Sequence, residues 1–218
     1  MNTWINQFLR MLFVILIAYP VVILWLGITV RYRENLPIQG PAIIAANHNS
    51  HLDILTIISL FPLLSIANIQ PVAAADYFFK NSFLKWFSLS IIGIIPINRK
   101  NIKRGVDPLE GCCQALEAGK ILIIFPEGTR GNPEKMEEFK SGIGHLAKRF
   151  PHVPVVPIFM HGLGKAMPKG AWIPIPLFIS VVIGKPIYWI DGKTAFMEAL
   201  KQRFHYLKQK LHSISDTL

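Results

Sequence analysis

Residues 42–53 read Ala-Ile-Ile-Ala-Ala-Asn-His-Asn-Ser-His-Leu-Asp and mark the place where a predicted strand gives way to a predicted helix. The strand prediction rests on the short apolar run Ala42–Ala46, which follows a Gly-Pro pair. A second apolar run, residues 54–60, continues after the polar residues. The polar residues between the two runs therefore lie in a loop where the strand ends.

His48 and Asp53 are the two residues of this loop that suggest catalysis. On one regular helix, residues five apart point about 140° away from each other, so the pair meets only if His48 is on the loop and Asp53 is in the first helical turn. An imidazole held by a carboxylate is a general base with an orienting partner.

Two other interpretations of the same residues stay open. Ser50 is a good N-cap, and Asp53 three residues later can complete a capping box without any catalytic role. A metal site from His48, His51 and Asp53 is the second alternative. Ile54 stands where the His-x-His-x-Asp-His motif of metallo-hydrolases needs another histidine, so we predict no metal.

Apolar runs separated by helical patterns recur along the chain, and this alternation predicts an α/β fold with a mixed central sheet flanked by helices. A connecting helix is predicted at Val106–Ala118, an amphipathic helix at Thr194–Leu211 and an irregular, proline-containing loop at Ala166–Phe178. The predicted strands are Ala42–Ala46, Val72–Ala75, Gly93–Ile97, Ile121–Phe125, Val155–Met160 and Ile179–Ile183.

The segment Met11–Val30 contains no charged residue and predicts an N-terminal hydrophobic, membrane-anchoring helical segment. As one helix it would be about 30 Å long, which matches a bilayer core. Pro20 interrupts it, so a kinked span and short helices lying in the membrane interface are both compatible with the sequence. We divide the chain into an anchor, residues 1–33, and a catalytic domain, residues 34–218, and expect Arg31 and Arg33 to keep that domain on the cytoplasmic side of the inner membrane.

Composition supports work at a membrane surface. The net charge is +10, yet 51% of residues are hydrophobic and the mean hydropathy is +0.38, which is high for a soluble nucleic-acid-binding protein. We therefore expect membrane and no nucleic acid among the partners. The two cysteines, Cys112 and Cys113, are adjacent and poorly suited to a structural disulfide, which favours a reducing compartment.

A second polar segment, Phe-Pro-Glu-Gly-Thr-Arg at residues 125–130, follows another predicted strand. Gly128 permits close approach of a ligand to the backbone, Thr129 offers a hydroxyl, and Arg130 can hold a phosphate through two parallel hydrogen bonds. Arg99, after the strand at Gly93–Ile97, is the best second phosphate ligand. A tight turn with a solvated arginine is the alternative for residues 125–130.

Together these segments resemble the glycerolipid acyltransferase family, which includes the 1-acyl-glycerol-3-phosphate acyltransferases. The resemblance rests on Asn-His-x-Ser-x-x-Asp at residues 47–53 and on Phe-Pro-Glu-Gly-Thr-Arg at residues 125–130, and it covers roughly residues 35–190. Phe-Lys-x-Gly at residues 139–142 also fits. Asn98 and Pro96 depart from the family pattern, which leaves the acceptor less defined than the reaction.

The resemblance implies transfer of a fatty acyl group from an acyl thioester to the free hydroxyl of a lysophospholipid, foremost 1-acyl-glycerol-3-phosphate, giving phosphatidic acid. His48 would be the base and Asp53 its orienting partner. Arg99 and Arg130 would hold the acceptor phosphate, while Glu127, Gly128 and Thr129 shape the glycerol subsite. Neither a cofactor nor a covalent acyl-enzyme is implied, and the donor would be acyl-coenzyme A or an acyl-acyl-carrier protein.

Other functions remain as alternatives. Transfer to another lysophospholipid or amphiphile is closest, followed by a membrane-attached lipid or thioester hydrolase, although no Gly-x-Ser-x-Gly elbow is present. A non-catalytic basic lipid-binding module would explain the charge and the anchor but leave His48 and Asp53 without a role. Residues 142–147 match the loose Gly-x-Gly-x-x-Ala dinucleotide pattern, but no buried strand is predicted before them.

Overall fold

A computed structural model of the chain describes residues 3–78, 81–98, 106–131, 136–168 and 170–215. A mixed seven-stranded sheet flanked by helices confirms the predicted α/β class. The strands are β1 (Ile28–Arg31), β2 (Ala42–Ala46), β3 (Ile69–Ala74), β4 (Ile95–Ile97), β5 (Ile121–Ile124), β6 (Val155–His161) and β7 (Ile179–Ile183).

The helices cover both faces of this sheet. Short 3-10 turns at Arg33–Asn35 and Leu63–Asn68 and a π-helical turn at Ser88–Ile92 complete the connections. The α-helices are α1 (Thr3–Phe13), α2 (Leu52–Ser59), α3 (Ala75–Phe78), α4 (Ser82–Phe87), α5 (Glu110–Glu117), α6 (Gly142–Arg149), α7 (Leu163–Ala166) and α8 (Lys193–Ser215).

The strand order is β1-β7-β6-β2-β5-β3-β4, which puts β2 in the middle of the sheet. β2 pairs in parallel with β5 on one side and with β6 on the other, and all five of its residues are buried. An uncharged Ala-Ile-Ile-Ala-Ala strand suits this place because a central parallel strand is covered on both faces. The carboxyl ends of β2, β5 and β6 consequently lie side by side at one end of the strands. We call this end of the sheet, where His48 follows β2, the catalytic edge.

Alternate side chains of β2 belong to two separate hydrophobic cores, as the two-residue period of a strand requires. Ile44 points to the core shared with α2 and the N-terminal helix, whereas Ile43 and Ala45 point to the core under α5, α6 and α8. The N-terminal helix is therefore one of the layers that bury the sheet.

The N-terminal helix extends beyond α1 through two π-helical segments, Val14–Ala18 and Pro20–Trp25. Every fourth residue along it, namely Val14, Ala18 and Val22, is buried. Residues four apart lie on the same side of a helix, so this stripe faces the domain along the length of the helix. Residues 4–25 form one helix that is long and apolar enough to cross a membrane, with a mean hydropathy of 2.3.

The structure locates all six predicted strands within a few residues and adds a seventh. Ile28–Arg31, at the end of the apolar segment, pairs in parallel with Ile179–Ile183, so it joins the sheet directly after the N-terminal helix. The helix predicted at Val106–Ala118 is shorter at its start, and the C-terminal helix is longer at its end. β7 runs antiparallel to β6, which makes the sheet mixed as predicted.

Candidate active site

His48 stands two residues beyond β2 and is joined to Asp53 in the first turn of α2. His48 Nδ1 lies 2.8 Å from Asp53 Oδ2, and the His48 side chain is 19% exposed while that of Asp53 is fully buried. With Nδ1 engaged by the carboxylate, Nε2 is the ring nitrogen left to accept a proton. The pair thus has the connectivity of a general base with an orienting carboxylate.

The same oxygen of Asp53 also fixes the loop that carries His48. Oδ2 accepts hydrogen bonds from the backbone N–H groups of Asn49 at 2.6 Å and Ser50 at 2.9 Å. The bond to Ser50 is the one that the acidic residue of a capping box makes, although α2 itself begins after His51 and the Ser50 hydroxyl accepts the Leu52 N–H. The capping interpretation and the catalytic interpretation of Asp53 are therefore compatible in one arrangement rather than competing explanations.

Burial dominates the acidity of Asp53. It raises the pKa of Asp53 above the ordinary value, while the hydrogen bonds from His48, Ser50 and Asn49 act in the opposite direction. Oδ1 is buried and has no hydrogen-bond partner within the described residues. A carboxylate kept from water in this way is a strong acceptor toward a protonated imidazole.

Glu127 holds the backbone on which His48 sits. Its Oε1 accepts the His48 backbone N–H at 2.8 Å, and its Oε2 accepts the Glu137 backbone N–H, also at 2.8 Å. Glu127 is only 1% exposed, and this burial raises its pKa. Through these two hydrogen bonds, the Glu127 carboxylate links the loop after β5 to the loop after β2 and to the start of residues 136–141.

Asn47 and Phe125 complete the support around the histidine. The Asn47 side chain donates to the Met160 carbonyl at 2.8 Å and accepts the Met160 N–H at 2.7 Å, so it continues the pairing of β2 with β6 beyond the last residue of β2. The Phe125 ring stacks on the His48 ring with a centroid distance of 4.1 Å and an interplanar angle of 19°. The sequence contains both residues inside the quoted segments, but no pattern in it identifies these two contacts.

The Gly-Thr-Arg part of the second segment forms a turn beside the pair. Gly128 has φ of +77°, and its N–H donates to the Phe125 carbonyl, so a left-handed turn accounts for glycine there. Thr129 is exposed and Arg130 is half-exposed. Partial desolvation, the positive charge of Arg130 and the neighbouring His48 lower the pKa of His51 to about 4. Arg130 is thus close enough to the loop that carries His48 and His51 for its charge to act on His51.

A cavity of about 510 Å³ borders the second segment. Glu127, Gly128 and Thr129 line it together with Phe125, the residue stacked on His48. Most of the remaining lining is aliphatic, with Lys140 and His145 on the α6 side. Such a cavity suits an amphiphilic ligand that has both a polar and an apolar part.

The structure brings together His48, Asp53, Glu127, Gly128, Thr129 and Arg130 at the catalytic edge, whereas Arg99 lies outside the described residues. No group of three or more His, Cys, Asp or Glu side chains that could hold a metal ion occurs in the described part of the chain. The Gly-x-Gly-x-x-Ala residues lie inside α6 and follow a loop, so they are not at the exit of a strand.

Comparison with known proteins gives consistent matches. A family model described as "Acyltransferase" matches residues 27–161. A chloroplastic 1-acyl-sn-glycerol-3-phosphate acyltransferase of Arabidopsis thaliana is 33% identical over 188 residues, which are 84% of this chain and 49% of that protein. A chloroplastic protein of the same description from Brassica napus is 35% identical over 71% of this chain and 43% of its own length. The chain therefore spans about half the length of these curated relatives.

The fold also matches a solved structure. The 1-acyl-sn-glycerophosphate acyltransferase of Thermotoga maritima superimposes with a TM-score of 0.70 over 98% of both chains. Sequence identity in this alignment is 20%, so the match supports the fold only. It includes the N-terminal helix, because only a small part of either chain is left uncovered.

Proposed function

The chain belongs to the acyltransferase family, and from this premise we propose that it transfers a fatty acyl group from an acyl thioester to the free hydroxyl of 1-acyl-glycerol-3-phosphate, giving phosphatidic acid. One observation carries the proposal. His48 Nδ1 is 2.8 Å from a buried Asp53 oxygen that also accepts two backbone N–H groups of the same loop. That arrangement is what a preorganised general base requires.

In the proposed reaction, His48 Nε2 takes the proton of the acceptor hydroxyl while the hydroxyl oxygen attacks the thioester carbonyl. The tetrahedral intermediate then collapses, the carbon–sulfur bond breaks, and the departing thiolate takes the proton back from the imidazolium. Asp53 stabilises the imidazolium and keeps Nδ1 engaged throughout. A thioester is already activated, so holding both substrates in place provides much of the remaining acceleration.

For the acceptor, we propose that Arg130 and Arg99 bind the phosphate and that Glu127, Gly128 and Thr129 shape the glycerol subsite. The cavity beside the Glu-Gly-Thr turn supports this assignment. Glu127 would act mainly through the backbone, since both of its carboxylate oxygens already accept N–H groups. A guanidinium is the side chain best suited to bidentate phosphate recognition.

We also propose that the protein works on a membrane, with the catalytic domain on the cytoplasmic side and the N-terminal helix lying in the interface. The buried stripe of Val14, Ala18 and Val22 supports this placement, because a helix packed lengthwise on its own domain cannot also cross the bilayer alone. The net charge of +10 favours anionic lipid and an anionic donor, acyl-coenzyme A or acyl-acyl-carrier protein.

The direct test is acyl transfer by purified protein from each donor, with lysophosphatidic acid, lysophosphatidylcholine or no acceptor. We expect phosphatidic acid as the product and a loss of at least about a thousandfold in His48→Ala, near the upper range for loss of a general base. His152→Ala, at an exposed histidine outside the site, is the matched control. Arg130→Ala should raise the KM for lysophosphatidic acid while leaving kcat nearly unchanged.

The same assay separates the alternatives. Normal transfer by His48→Ala would refute the base assignment. Hydrolysis of the thioester without any acceptor would indicate a hydrolase. Acylation of lysophosphatidylcholine but not of lysophosphatidic acid would make lysophosphatidylcholine the acceptor. Lipid binding without turnover of any donor would favour the non-catalytic module.

A further inference from the structure

Residues 171–178, between α7 and β7, form an uncharged loop that displays its apolar side chains to solvent. Trp172 is 92% exposed, Ile173 is 77% exposed and Phe178 is 88% exposed. Ile175 adds a fourth apolar side chain, 57% exposed. Scattered exposed apolar residues are ordinary, but a contiguous group of this kind marks a contact surface.

This apolar loop lies at the catalytic edge. β7 begins at Ile179 and runs antiparallel to β6, with His161 at the carboxyl end of β6 paired to Ser180. β2 is parallel to β6, so the exit of β2 toward His48 and the entry into β7 are on the same side of the sheet. The strand reversal thus brings the loop to the edge where chemistry is expected.

The apolar loop is continuous with the end of the N-terminal helix. Trp25 Nε1 donates to the Pro174 carbonyl at 2.9 Å, and the Ile179 N–H donates to the Gly27 carbonyl at 2.9 Å. The Phe178 ring packs against Gly27, where an added Cβ atom would lie 3.0 Å from the ring. Leu24, next to Trp25 in the chain, is 81% exposed.

The surface formed by residues 171–178 and the exposed side of the N-terminal helix has a composition that fits contact with lipid better than contact with water or another protein. Only 22% of the apolar helical window is buried, so most of its side chains keep some surface that the domain does not cover. Pro174 and Pro176 carry no N–H, and the N–H groups of Ala171 and Ile175 donate to backbone carbonyls within the loop region. Removing or satisfying backbone donors lowers the cost of placing a loop in a low-dielectric interface.

We propose that residues 171–178 insert into the same lipid leaflet as the N-terminal helix and form a second membrane contact that turns the catalytic edge toward the bilayer. The proposal rests on the membrane association given under the proposed function. Trp25 and Trp172 would lie at headgroup depth, where indole rings are favoured. An amphiphilic acceptor could then reach the site without leaving the leaflet.

The test compares binding of two double variants to vesicles made of equal parts of phosphatidylcholine and phosphatidylglycerol. Ile173→Ser with Ile175→Ser removes two exposed isoleucines of the loop, while Ile38→Ser with Ile190→Ser removes two exposed isoleucines at the opposite edge of the sheet. Both pairs keep the net charge. We expect the first pair to weaken partitioning about tenfold and the second by less than about twofold, given the transfer free energy of buried aliphatic side chains.

Several outcomes would overturn the proposal. Equal partitioning of the two double variants would show that the loop does not contact lipid. A dimer seen by light scattering without lipid, and abolished in the loop variant only, would assign the surface to a second copy of the chain. Circular dichroism and the melting temperature verify folding. Transfer to a water-soluble short-chain acceptor without vesicles should be equal in both variants, so failure of the membrane contact is distinguishable from failure of the acyl-transfer proposal.

Discussion

Two loops leave the catalytic edge and depart from the usual distribution of residues in opposite ways. The catalytic loop, residues 47–53, buries polar side chains, with Asn47, Asn49, Ser50 and Asp53 each no more than 5% exposed. The apolar loop, residues 171–178, exposes large hydrophobic side chains. In most proteins the first would be solvated and the second covered.

The two departures have different physical consequences. Buried polar groups are tolerated because hydrogen bonds satisfy them, and a satisfied network has one geometry. Exposed apolar groups need no such network, so their positions are determined mainly by whatever covers them. The catalytic loop therefore holds its side chains in one defined geometry, whereas the apolar loop indicates what kind of surroundings cover it.

One contact connects the catalytic loop to the chain segment that leads into the apolar loop. Ser50 Oγ donates to the Met167 carbonyl at 3.0 Å, four residues before the start of the apolar loop. Ser50 also receives the Leu52 N–H on Oγ at 3.3 Å. The catalytic loop is thus held against the segment just before the apolar loop, and substitutions in the two loops can be compared directly.

Apart from removal of the base itself, the largest expected effect comes from neutralising Asp53 at the centre of the buried network. Asp53→Asn keeps the shape of the side chain but removes the charge that stabilises the imidazolium, so we expect kcat to fall at least about a hundredfold. Acyl-transfer kinetics measure this, with vesicle binding as the control that should not change. An enzyme with unaltered kcat would mean that the carboxylate serves only to cap α2.

The next effect concerns the stability of the same loop. Asn47→Ala leaves the buried N–H and C=O groups of Met160 without their side-chain partner, which should lower the free energy of unfolding by about 2 to 4 kcal/mol. Urea denaturation measures the change. Ile173→Ser in the apolar loop is the comparison, and without lipid it should leave the free energy of unfolding almost unchanged. Equal destabilisation by the two substitutions would contradict the proposed difference between the two loops.

A smaller effect is expected at the neighbouring strand exit. Glu127→Gln places an amide NH2 against a backbone N–H, so either His48 or Glu137 loses an acceptor and the base shifts slightly. We expect kcat to fall about tenfold with little change in the KM for the acceptor. A raised KM at constant kcat would instead assign Glu127 to direct contact with the glycerol group.

The smallest effect is a pH dependence. His51 has a pKa near 6.5 in the unfolded chain and about 4 in the folded protein. The free energy of unfolding is therefore highest above pH 6.5 and falls as the pH drops from 6.5 to 4, because the unfolded chain binds the proton more readily. Because His51 is partly exposed, we expect the contribution to be about 1 kcal/mol. His51→Gln should flatten the stability profile between pH 6.5 and 4, with His152→Gln as the control; a profile unchanged by His51→Gln would contradict the shift.

The sequence predicted the fold class well because short apolar runs that alternate with helical patterns are local signals. It failed to predict the strand at Ile28–Arg31, since the first three residues of this strand are the last three of the uncharged segment Met11–Val30 and do not differ in composition from the apolar helix before them. Only its pairing with β7, about 150 residues later in the chain, identifies it. The start of the helix predicted at Val106–Ala118 also differs, because Asp107 accepts the Leu109 N–H on its side chain and the Glu110 N–H on its carbonyl, so a turn precedes α5.

The site illustrates the same limit. The sequence predicted that His48 and Asp53 would meet, and the structure has that contact. It could not predict the backbone partners of Glu127 or the clamp between Asn47 and Met160, because these join residues 79 and 113 positions apart. Long-range hydrogen bonds between a side chain and the backbone leave no periodic trace in a sequence.

The buried stripe of the N-terminal helix has a practical consequence for preparing this protein. Val14 and Ala18 belong to the same hydrophobic core as Ile57 and Phe61, so cutting the helix away would strip the domain of part of its interior. A shortened version would be expected to aggregate rather than become easier to handle. Detergents or lipid nanodiscs, which cover the outer side of the helix and leave the inner side packed, are the better means of keeping the protein in solution.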